Sequence, residues 1–423
     1  MAEEILLQDD FLRQLMGVGE VDLLVAIPSY NHAATIGHTV QAIEESLRQN
    51  FVRERAVILN LDGRSGDATR EEFLRCGEPK RAGQKGLASL RTVHRISSEY
   101  GTSPSPGMAL RSAVAAADLL HAKACAVVSP GTANVTPSWV ANLLRPAYRE
   151  QFDFVAPLYS RSRFSGLLAR DLLYPMSRAV FGRRVREVYS DEWGFSGRLA
   201  SKCLEQNVWK EGAVRARPEG WMAITAICQD LRCCQNFLGP KLAPAAGTGP
   251  DLVDAIRQTV GNLFWCMEMN QAQWMGRTGS LAVPTFGPEH ELSEDGVPAS
   301  PEKIFELFRS GVSELEPILS RILTADTNAQ IKAISVLDAE RFRYSAELWV
   351  RTLYEFAGSY HREVLNRDHL VQALVPLYRG RLYSYVLEHV NASAEMMEKD
   401  SEVVSQEFER QKPYLVERWM AKN

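Results

Sequence analysis

The sequence predicts an α/β fold with a mainly parallel β-sheet, followed by an all-helical C-terminal region. Short apolar runs recur through the first half of the chain, and segments of helical periodicity lie between them. Strands that are buried on both faces of a parallel sheet have this continuous apolar character. Strand-like runs end after about residue 250. The predicted strands are VDLLVAI (21–27), AVILNL (56–61), LRTVHRI (90–96), KACAVVS (123–129) and FDFVAPL (152–158).

The predicted helices follow these strands. In segment 34–50, apolar residues recur at three- and four-residue steps, as on one face of a helix. A second helix is predicted over 107–122, and a third over 137–150, where Thr136 is the N-cap and Pro137 the first helical residue. The predicted division of the chain is an N-terminal helix (1–20), an α/β core (21–250), a helix with an irregular Gly/Pro/Ser-rich linker (251–301) and a helical domain (302–423).

Composition excludes several classes of protein. The chain has 423 residues and a formal net charge of −4, so it has no overall positive field to attract nucleic acid. Its seven cysteines form no CxxC pair, which is typical of reduced thiols in a cytoplasmic protein. The acidic N-terminus does not resemble a signal peptide, and no apolar stretch reaches about 18 residues. We therefore expect a cytoplasmic protein without a membrane segment.

Two polar loops follow the first two predicted strands. The first is PSYN (28–31) and the second is NLDGRSGDAT (60–69), and ligands of α/β sheets bind at such strand ends. Either loop alone is equally consistent with an ordinary strand-to-helix turn. Together they resemble the opening of GT-A glycosyltransferases, which hold the nucleoside of a nucleotide sugar there. On that resemblance Asp62 accepts hydrogen bonds from the base or ribose, and the PSYN residues Pro28, Ser29, Tyr30 and Asn31 contact the donor.

The resemblance extends over nearly the whole chain. As a set, six further motifs resemble the bacterial glucosylglycerate and glucosyl-3-phosphoglycerate synthases. This resemblance implies a GT-A core that transfers glucose or mannose from a nucleotide diphosphate sugar to a glycerate-type acceptor, with retention of anomeric configuration. Relatives also self-associate, which together with aromatic-rich segments at 265–274 and 342–360 predicts a homodimer. The motifs are VAPLYSR (155–161), YPMSRAVFGRRVRE (174–187), GFSGRLA (194–200), EGWMAITAICQDLRCCQNFLGPK (219–241), VPTFG (283–287) and LVPLYRGR (374–381).

The resemblance also implies roles for single residues. Asp191 and Glu192 precede GFSG, where relatives carry an acidic residue that faces sugar and acceptor. Taken alone, the pair is more typical of a solvated loop tip, but the surrounding motif match favours the functional interpretation. We therefore predict Glu192 and Asp191 as catalytic residues. Arg161 and Thr225 are predicted to contact the acceptor. The remaining donor-binding residues are predicted as Gly107, Ser129 and Lys241.

Three positions depart from the family pattern. Relatives bind Mg²⁺ or Mn²⁺ through an Asp-x-Asp motif, but this chain has Ser129-Pro130-Gly131 there. Neither Ser129 nor Gly131 supplies the hard, charged oxygen ligands that these cations prefer. Ala243 stands at the position of a metal-binding histidine, and Met108 replaces a lysine beside the nucleotide. The sequence therefore predicts no metal ligand and no other cofactor.

Two hypotheses of function remain open. The first is a retaining hexosyltransferase that neutralises the leaving diphosphate with side chains such as Lys241. The second is a catalytically inactive relative that binds sugar nucleotides or acts as a scaffold. The missing acidic pair favours the second, whereas Asp62, Arg161, Glu192 and Thr225 favour retained binding.

Overall fold

The computed structural model describes residues 7–76, 93–100, 104–161, 163–242, 251–288 and 300–421. Ten strands occur in these ranges, and eight of them form one sheet. The strands are β1 (Leu23–Ser29), β2 (Ala56–Asp62), β3 (Val93–Glu99), β4 (Ala124–Val127), β5 (Phe154–Ser160), β6 (Arg183–Arg184), β7 (Trp193–Ser196), β8 (Cys233–Pro240), β9 (Leu281–Ala282) and β10 (Thr285–Phe286).

The large sheet has the strand order β10-β8-β5-β7-β4-β1-β2-β3. Every pairing in it is parallel except the two that β7 makes with β4 and β5. The strands β6 and β9 form a separate parallel pair. The predicted mainly parallel α/β fold is therefore confirmed.

The helices in the described ranges are α1 (Asp9–Val18), α2 (Ile36–Asn50), α3 (Thr69–Arg75), α4 (Pro106–Leu119), α5 (Pro137–Arg149), α6 (Tyr174–Phe181), α7 (Gly197–Leu204), α8 (Gly212–Ala216), α9 (Pro218–Cys228), α10 (Leu252–Met269), α11 (Gln271–Trp274), α12 (Pro301–Glu314), α13 (Glu316–Ile322), α14 (Ala325–Ser335), α15 (Ala346–His361), α16 (Arg367–Gln372), α17 (Leu374–His389), α18 (Ala394–Arg410) and α19 (Lys412–Met420). A π-helix, Ala169–Leu173, runs directly into α6. Within the described part of the chain, all secondary structure after β10 is helical, as the sequence predicts. None of the described helices has both the length and the apolar character needed to cross a bilayer.

The chain divides into two compact units. The first comprises 1–160, 187–248 and 283–290, and it contains the large sheet. The second comprises 161–186, 249–282 and 291–423, and it contains α6, α10–α19 and the π-helix. The α/β core is predicted as 21–250, whereas the first unit also includes 1–20 and 283–290, and 161–186 groups with the helical unit. The predicted domain boundaries stay a prediction.

The first unit is built around β2, which is fully buried, and β1, which is buried except at Pro28. Helix α5 covers one face, and Thr136 caps it by accepting a hydrogen bond from the amide of Trp139, as predicted. Strand β7 passes close to α5, because a Cβ on Gly194 would lie 2.2 Å from the carbonyl oxygen of Leu143. Glycine is the residue that permits this approach. The approach keeps β7 within the sheet as its only antiparallel strand.

The second unit has an aromatic core. Phe305 stacks on Tyr383 with ring centroids 4.7 Å apart, and Trp349 packs edge-on against Tyr344 at 5.6 Å. Trp274 is fully buried and lies edge-on to Trp419 at 5.2 Å. The aromatic side chains that motivate the predicted homodimer therefore pack inside this unit. Self-association stays a prediction, and it needs a different surface.

Candidate functional site

The carboxyl ends of the parallel strands bring several of the predicted site residues, among them Asp191, Glu192 and Lys241, to one edge of the large sheet. Strand β7 runs antiparallel to its neighbours, so its first residue, Trp193, pairs with the last residue of β4, Val127. The end of β5 pairs with the end of β8, at Ser160 and Pro240. Residues just beyond these ends therefore meet at a single edge, where ligands of α/β sheets bind.

Glu192 is completely buried at this edge. Its side chain has 0% exposure, and the hydroxyls of Thr132 and Tyr159 donate hydrogen bonds to its two oxygens. The ammonium of Lys241 lies 2.8 Å from Glu192 Oε2. Burial and the Glu192 charge raise the pKa of Tyr159 well above its usual value, so the phenol stays a proton donor. Three donors thus compensate one buried carboxylate, as burial of a charge requires.

Lys241 connects this buried carboxylate to the surface. Its Nζ atom lies 3.2 Å from Asp191 Oδ2, and its charge lies over the Tyr159 ring at 4.8 Å from the centroid. The Lys241 side chain is 11% exposed, whereas that of Asp191 is 54% exposed. The two predicted catalytic carboxylates therefore differ in solvent exposure: Asp191 is exposed, whereas Glu192 is buried. The catalytic roles predicted for Asp191 and Glu192 stay predictions.

A cavity of about 180 Å³ opens at the same edge. Its wall includes the predicted residues Pro28, Ser129 and Asp191 together with Trp193. The indole N–H of Trp193 is buried and has no hydrogen-bond partner among the residues that the structure describes. A buried donor without an acceptor is uncommon in folded proteins and points to a missing partner. The cavity therefore offers a donor to a ligand that carries an acceptor oxygen.

Two charged residues that the sequence analysis missed also line this cavity. Arg217 Nε lies 2.6 Å from Glu219 Oε1, at the start of α9. Burial raises the pKa of Glu219 to about 7, and the nearby Arg217 charge opposes this shift. Arg217 stays cationic, because the negative charges of Glu219 and Asp191 favour its charged form over the effect of burial. The cavity thus contains a permanent cation and a carboxyl group that titrates near neutral pH.

The PSYN loop and the loop after β2 are joined by hydrogen bonds. Asp62 is fully buried, and its carboxylate accepts bonds from the amide and hydroxyl of Ser65 at 2.7 and 2.8 Å. The Ser29 hydroxyl lies 3.2 Å from the same carboxylate. Asn31 has φ of 56° and accepts a bond from the Gly66 amide at 2.9 Å. The predicted contact of Asp62 with a nucleoside remains a prediction, and it requires these internal bonds to open.

The other predicted residues have varied surroundings. Tyr30 is 47% exposed beside the two loops, so it is available to a ligand. Gly107 permits close packing of α4 on α8, because a Cβ there would lie 2.5 Å from the carbonyl oxygen of Val214. Thr225 is buried within α9, and Arg161 belongs to the helical unit. The acceptor contacts of Arg161 and Thr225 therefore stay predictions.

The end of β4 does not fit a divalent cation. The Ser129 hydroxyl accepts a bond from the Gly131 amide at 3.2 Å, and neither residue has a carboxylate. Burial lowers the pKa of the neighbouring His32, which remains a neutral nitrogen base. Across the described ranges, no group of three or more His, Cys, Asp or Glu side chains is arranged to hold a metal. Ala243, at the predicted histidine position, lies outside the described residues.

The fold and the cavity define an α/β protein with a candidate ligand site at the carboxyl edge of its sheet. Among solved structures, the chain is similar to glucosyl-3-phosphoglycerate synthase from Mycobacterium tuberculosis. The complex with phosphoglyceric acid matches with a TM-score of 0.43 and 16% identity, over 63% of this chain and 85% of that chain. The complex with Mg²⁺ and UDP matches with a TM-score of 0.43 and 17% identity, over 62% of this chain and 83% of that chain. The complex with Mn²⁺, UDP-glucose and phosphoglyceric acid matches with a TM-score of 0.42 and 16% identity, over 64% of this chain and 86% of that chain.

No family profile and no curated protein sequence matches the chain. The proposed function therefore rests on the residues of this chain and their geometry.

Proposed function

We propose that this chain binds a nucleotide diphosphate sugar at the carboxyl edge of the large sheet and transfers its hexose to a small hydroxy acid. The observation that carries the proposal is the pair of cations Lys241 and Arg217, which flank Asp191 beside the cavity. A sugar diphosphate needs positive charge near its phosphates, most of all when the diphosphate leaves. The sequence motifs support a glycerate-type acceptor and retention of configuration.

The cavity is the right size for part of such a donor. A water molecule occupies about 30 Å³ in the liquid, so 180 Å³ corresponds to roughly six waters. This volume suits a hexosyl group or a small acid, whereas a nucleoside would extend over the PSYN loop. The exposed ring of Tyr30 lies on that loop and supports this orientation.

The two cations take the charge-neutralising role that a metal has in relatives. Side chains at the end of β4 do not supply metal ligands, because neither Ser129 nor Gly131 has a carboxylate. We therefore propose that donor binding is independent of divalent cations. Glu192 supports this role because it fixes the position of Lys241 from the interior.

The test is calorimetric titration of UDP- and GDP-sugars into the full chain, with EDTA and with Mn²⁺. The expected donor affinity is the same in both conditions. A variant that combines Ser129→Asp, Gly131→Asp and Ala243→His is expected to gain metal dependence, which provides the positive control. Loss of donor binding in EDTA by the natural chain would show that an unrecognised metal ligand exists.

A second candidate function is sugar-nucleotide binding without catalysis, in a scaffold protein. Two observations favour it: Glu192 has no exposed surface, and Asp62 is fully engaged by Ser29 and Ser65. The two candidates differ in turnover. Release of nucleoside diphosphate that depends on added glycerate or 3-phosphoglycerate would favour the enzyme. Tight donor binding with no release in the presence of either acid would favour the scaffold.

A further inference from the structure

The helical unit contains its own cavity, of about 290 Å³. It lies among the π-helix, α17 and α18, and none of the sequence motifs assigns it a role. Short π-helical turns are rare and often occur at functional sites. The π-helix contributes two consecutive charged residues to the wall. The charged and polar residues of the wall are Arg170, Asp171, Arg381, Tyr385, Glu388, His389, Asp400 and Ser401.

Two of the acceptor groups around this cavity are already engaged. Both oxygens of Asp171 accept hydrogen bonds from the Arg381 guanidinium, at 2.9 and 3.0 Å. Glu388, at the rim, accepts a bond from the Ser384 hydroxyl at 2.9 Å. Each of these carboxylates has a donor within the protein, so neither requires a ligand to compensate it.

The third carboxylate is engaged by a buried histidine. His389 Nδ1 lies 2.8 Å from the carbonyl oxygen of Tyr385, and its Nε2 lies 3.1 Å from Asp400 Oδ2. A carbonyl oxygen only accepts, so the Nδ1 proton must point at it. The imidazole thus lies between this carbonyl oxygen and the Asp400 carboxylate. The imidazole ring also stacks on Tyr385 with centroids 4.1 Å apart, which fixes both residues.

Three donors of the wall have spare capacity. The Tyr385 hydroxyl is buried, the residue is 5% exposed, and no described residue accepts its proton. The Arg170 guanidinium bonds the carbonyl of Arg163 at 3.3 Å, and no carboxylate of the described chain lies within 4.0 Å of it. The Ser401 hydroxyl makes no hydrogen bond to any described residue. The wall is therefore rich in donors and carries one cation without an acidic partner.

The Tyr385 phenol belongs to the same electrostatic group. Burial raises its pKa to about 12, so it remains a proton donor at neutral pH. The charges that act on the phenol are those of Arg170, Asp171, Arg381 and Asp400, all of which line the cavity. The hydroxyl therefore lies among the charged groups of this wall.

We propose that this cavity binds a small anion, a carboxylate or a phosphate, through Arg170, Tyr385 and Ser401. The volume corresponds to about ten waters, which suits inorganic phosphate or a three-carbon acid. The site is separate from the proposed transferase site, since all of its residues belong to the helical unit. It gives this unit a ligand of its own, independent of the sugar donor.

The experiment is calorimetric titration of the full chain with inorganic phosphate, with glycerate and with glycerol, at constant ionic strength. Saturable binding of phosphate, glycerate or both is expected, and glycerol is expected not to bind. The phosphate and glycerate arms distinguish a free inorganic ion from an organic acid. Absence of saturable binding by both anions, or equal binding of glycerol, would overturn the proposal.

Four variants locate the bound anion. Tyr385→Phe and Arg170→Gln are each expected to weaken anion binding by roughly tenfold or more, since each removes one donor to a charged group. Tyr385→Phe should leave the melting temperature of the ligand-free chain unchanged or higher, because it removes a buried hydroxyl that has no partner. Tyr344→Phe is the matched control, because the Tyr344 hydroxyl bonds Thr352 at 2.9 Å outside the cavity wall.

The Tyr344→Phe chain should therefore melt earlier and bind the anion as before. Arg217→Gln removes a cation of the first unit. It should leave anion binding intact even if it weakens binding of the sugar donor. Unchanged anion affinity in both Tyr385→Phe and Arg170→Gln would overturn the proposal. Loss of all anion binding in Arg217→Gln would place the anion in the first unit and overturn it as well.

Discussion

Each unit of the chain buries a carboxylate against a cation, and the two pairs differ in geometry. In the helical unit, Asp171 uses both oxygens to accept bonds from one planar guanidinium, that of Arg381. In the first unit, Glu192 accepts bonds from two hydroxyls and from Lys241, and the same ammonium also contacts the exposed Asp191. Arginine forms a fixed two-pronged pair, whereas lysine is a point charge that several acceptors share.

This difference indicates separate roles for the two pairs. The Asp171–Arg381 pair is buried, and Arg381 also donates a hydrogen bond to the carbonyl oxygen of Tyr344 at 2.9 Å. Its main effect is therefore to hold elements of the helical unit together, including the π-helix and α17. The Glu192 pair leaves part of the Lys241 charge directed toward the carboxyl edge of the sheet. We therefore expect changes in the first pair to act on stability and changes in the second to act on ligand binding and turnover.

The largest expected effect is on stability, from Arg381→Met. This change leaves Asp171 buried without its counter-charge, and loss of one partner of a buried pair typically lowers the free energy of unfolding by about 3–5 kcal/mol. Urea-induced unfolding measures it. Arg186→Met is the control in the same unit, because Arg186 and Glu398 form an exposed pair whose loss is expected to matter by less than about 1 kcal/mol. Equal effects of the two substitutions would remove the distinction between the pairs.

Glu192→Gln is expected to lower turnover by roughly ten- to a thousandfold, by analogy with the loss of one electrostatic contact in an active site. The substitution keeps the shape of the side chain and removes the charge that fixes Lys241. Donor affinity is expected to change far less, as measured by titration beside steady-state kinetics. Asp191→Asn is the matched control, because it removes an exposed partner of the same lysine. Equal losses of affinity and turnover would assign Glu192 to the donor site instead.

Lys241→Met is expected to weaken donor binding by roughly ten- to a hundredfold, which corresponds to losing one hydrogen bond to a charged group. The measurement is the same calorimetric titration. Lys123→Met is a suitable control, since Lys123 pairs with Asp22 at the start of β1, at the opposite edge of the sheet. Unchanged donor affinity in the Lys241 variant would contradict the proposed charge-neutralising role.

The smallest expected effect concerns pH. Glu219 has a pKa of about 7, so it is neutral below that pH and adds a negative charge beside Arg217 above it. Donor affinity should therefore fall a few-fold between pH 6 and pH 8. Stability should also decline as pH rises from about 4.5 to 7, because the folded state holds a proton that the unfolded chain releases. In Glu219→Gln, neither donor affinity nor stability should change with pH in this way. If either pH dependence persists, it belongs to another titratable group.

Much of the fold was predictable because its signals are local. The apolar runs correspond to β1, β2, β4 and β5, and the Thr136–Pro137 signal marks the start of α5. The antiparallel β7 was not predicted, since its four residues give no periodicity by themselves. Assignment of 161–186 to the helical unit also depends on contacts with residues more than 200 positions away, such as Arg178 with Glu402.

The site was predictable only in part, for a related reason. Motif positions identified Lys241, Asp191 and Glu192, but they did not show that Glu192 faces inward. That orientation depends on the hydroxyls of Thr132 and Tyr159, which β4 and β5 bring from elsewhere in the chain. One sequence feature could have identified Tyr159 as a site residue: it places a hydroxyl near the end of an otherwise apolar strand. Glu219 could have been identified in the same way, because it is an acidic residue at the start of the apolar helix α9.

The π-helix makes the helical unit unusually sensitive to the length of the chain between 161 and 186. A π-turn contains one residue more than an α-turn, so it acts as a local insertion within an otherwise regular helix. Deletion of a single residue from Ala169–Leu173 would restore regular winding and rotate the preceding residues by about 100° relative to α6. Arg170 and Asp171 would then turn away from the cavity, and Asp171 would lose Arg381. Sequences that share this architecture are therefore expected to tolerate substitutions in this turn far better than a change in its residue count.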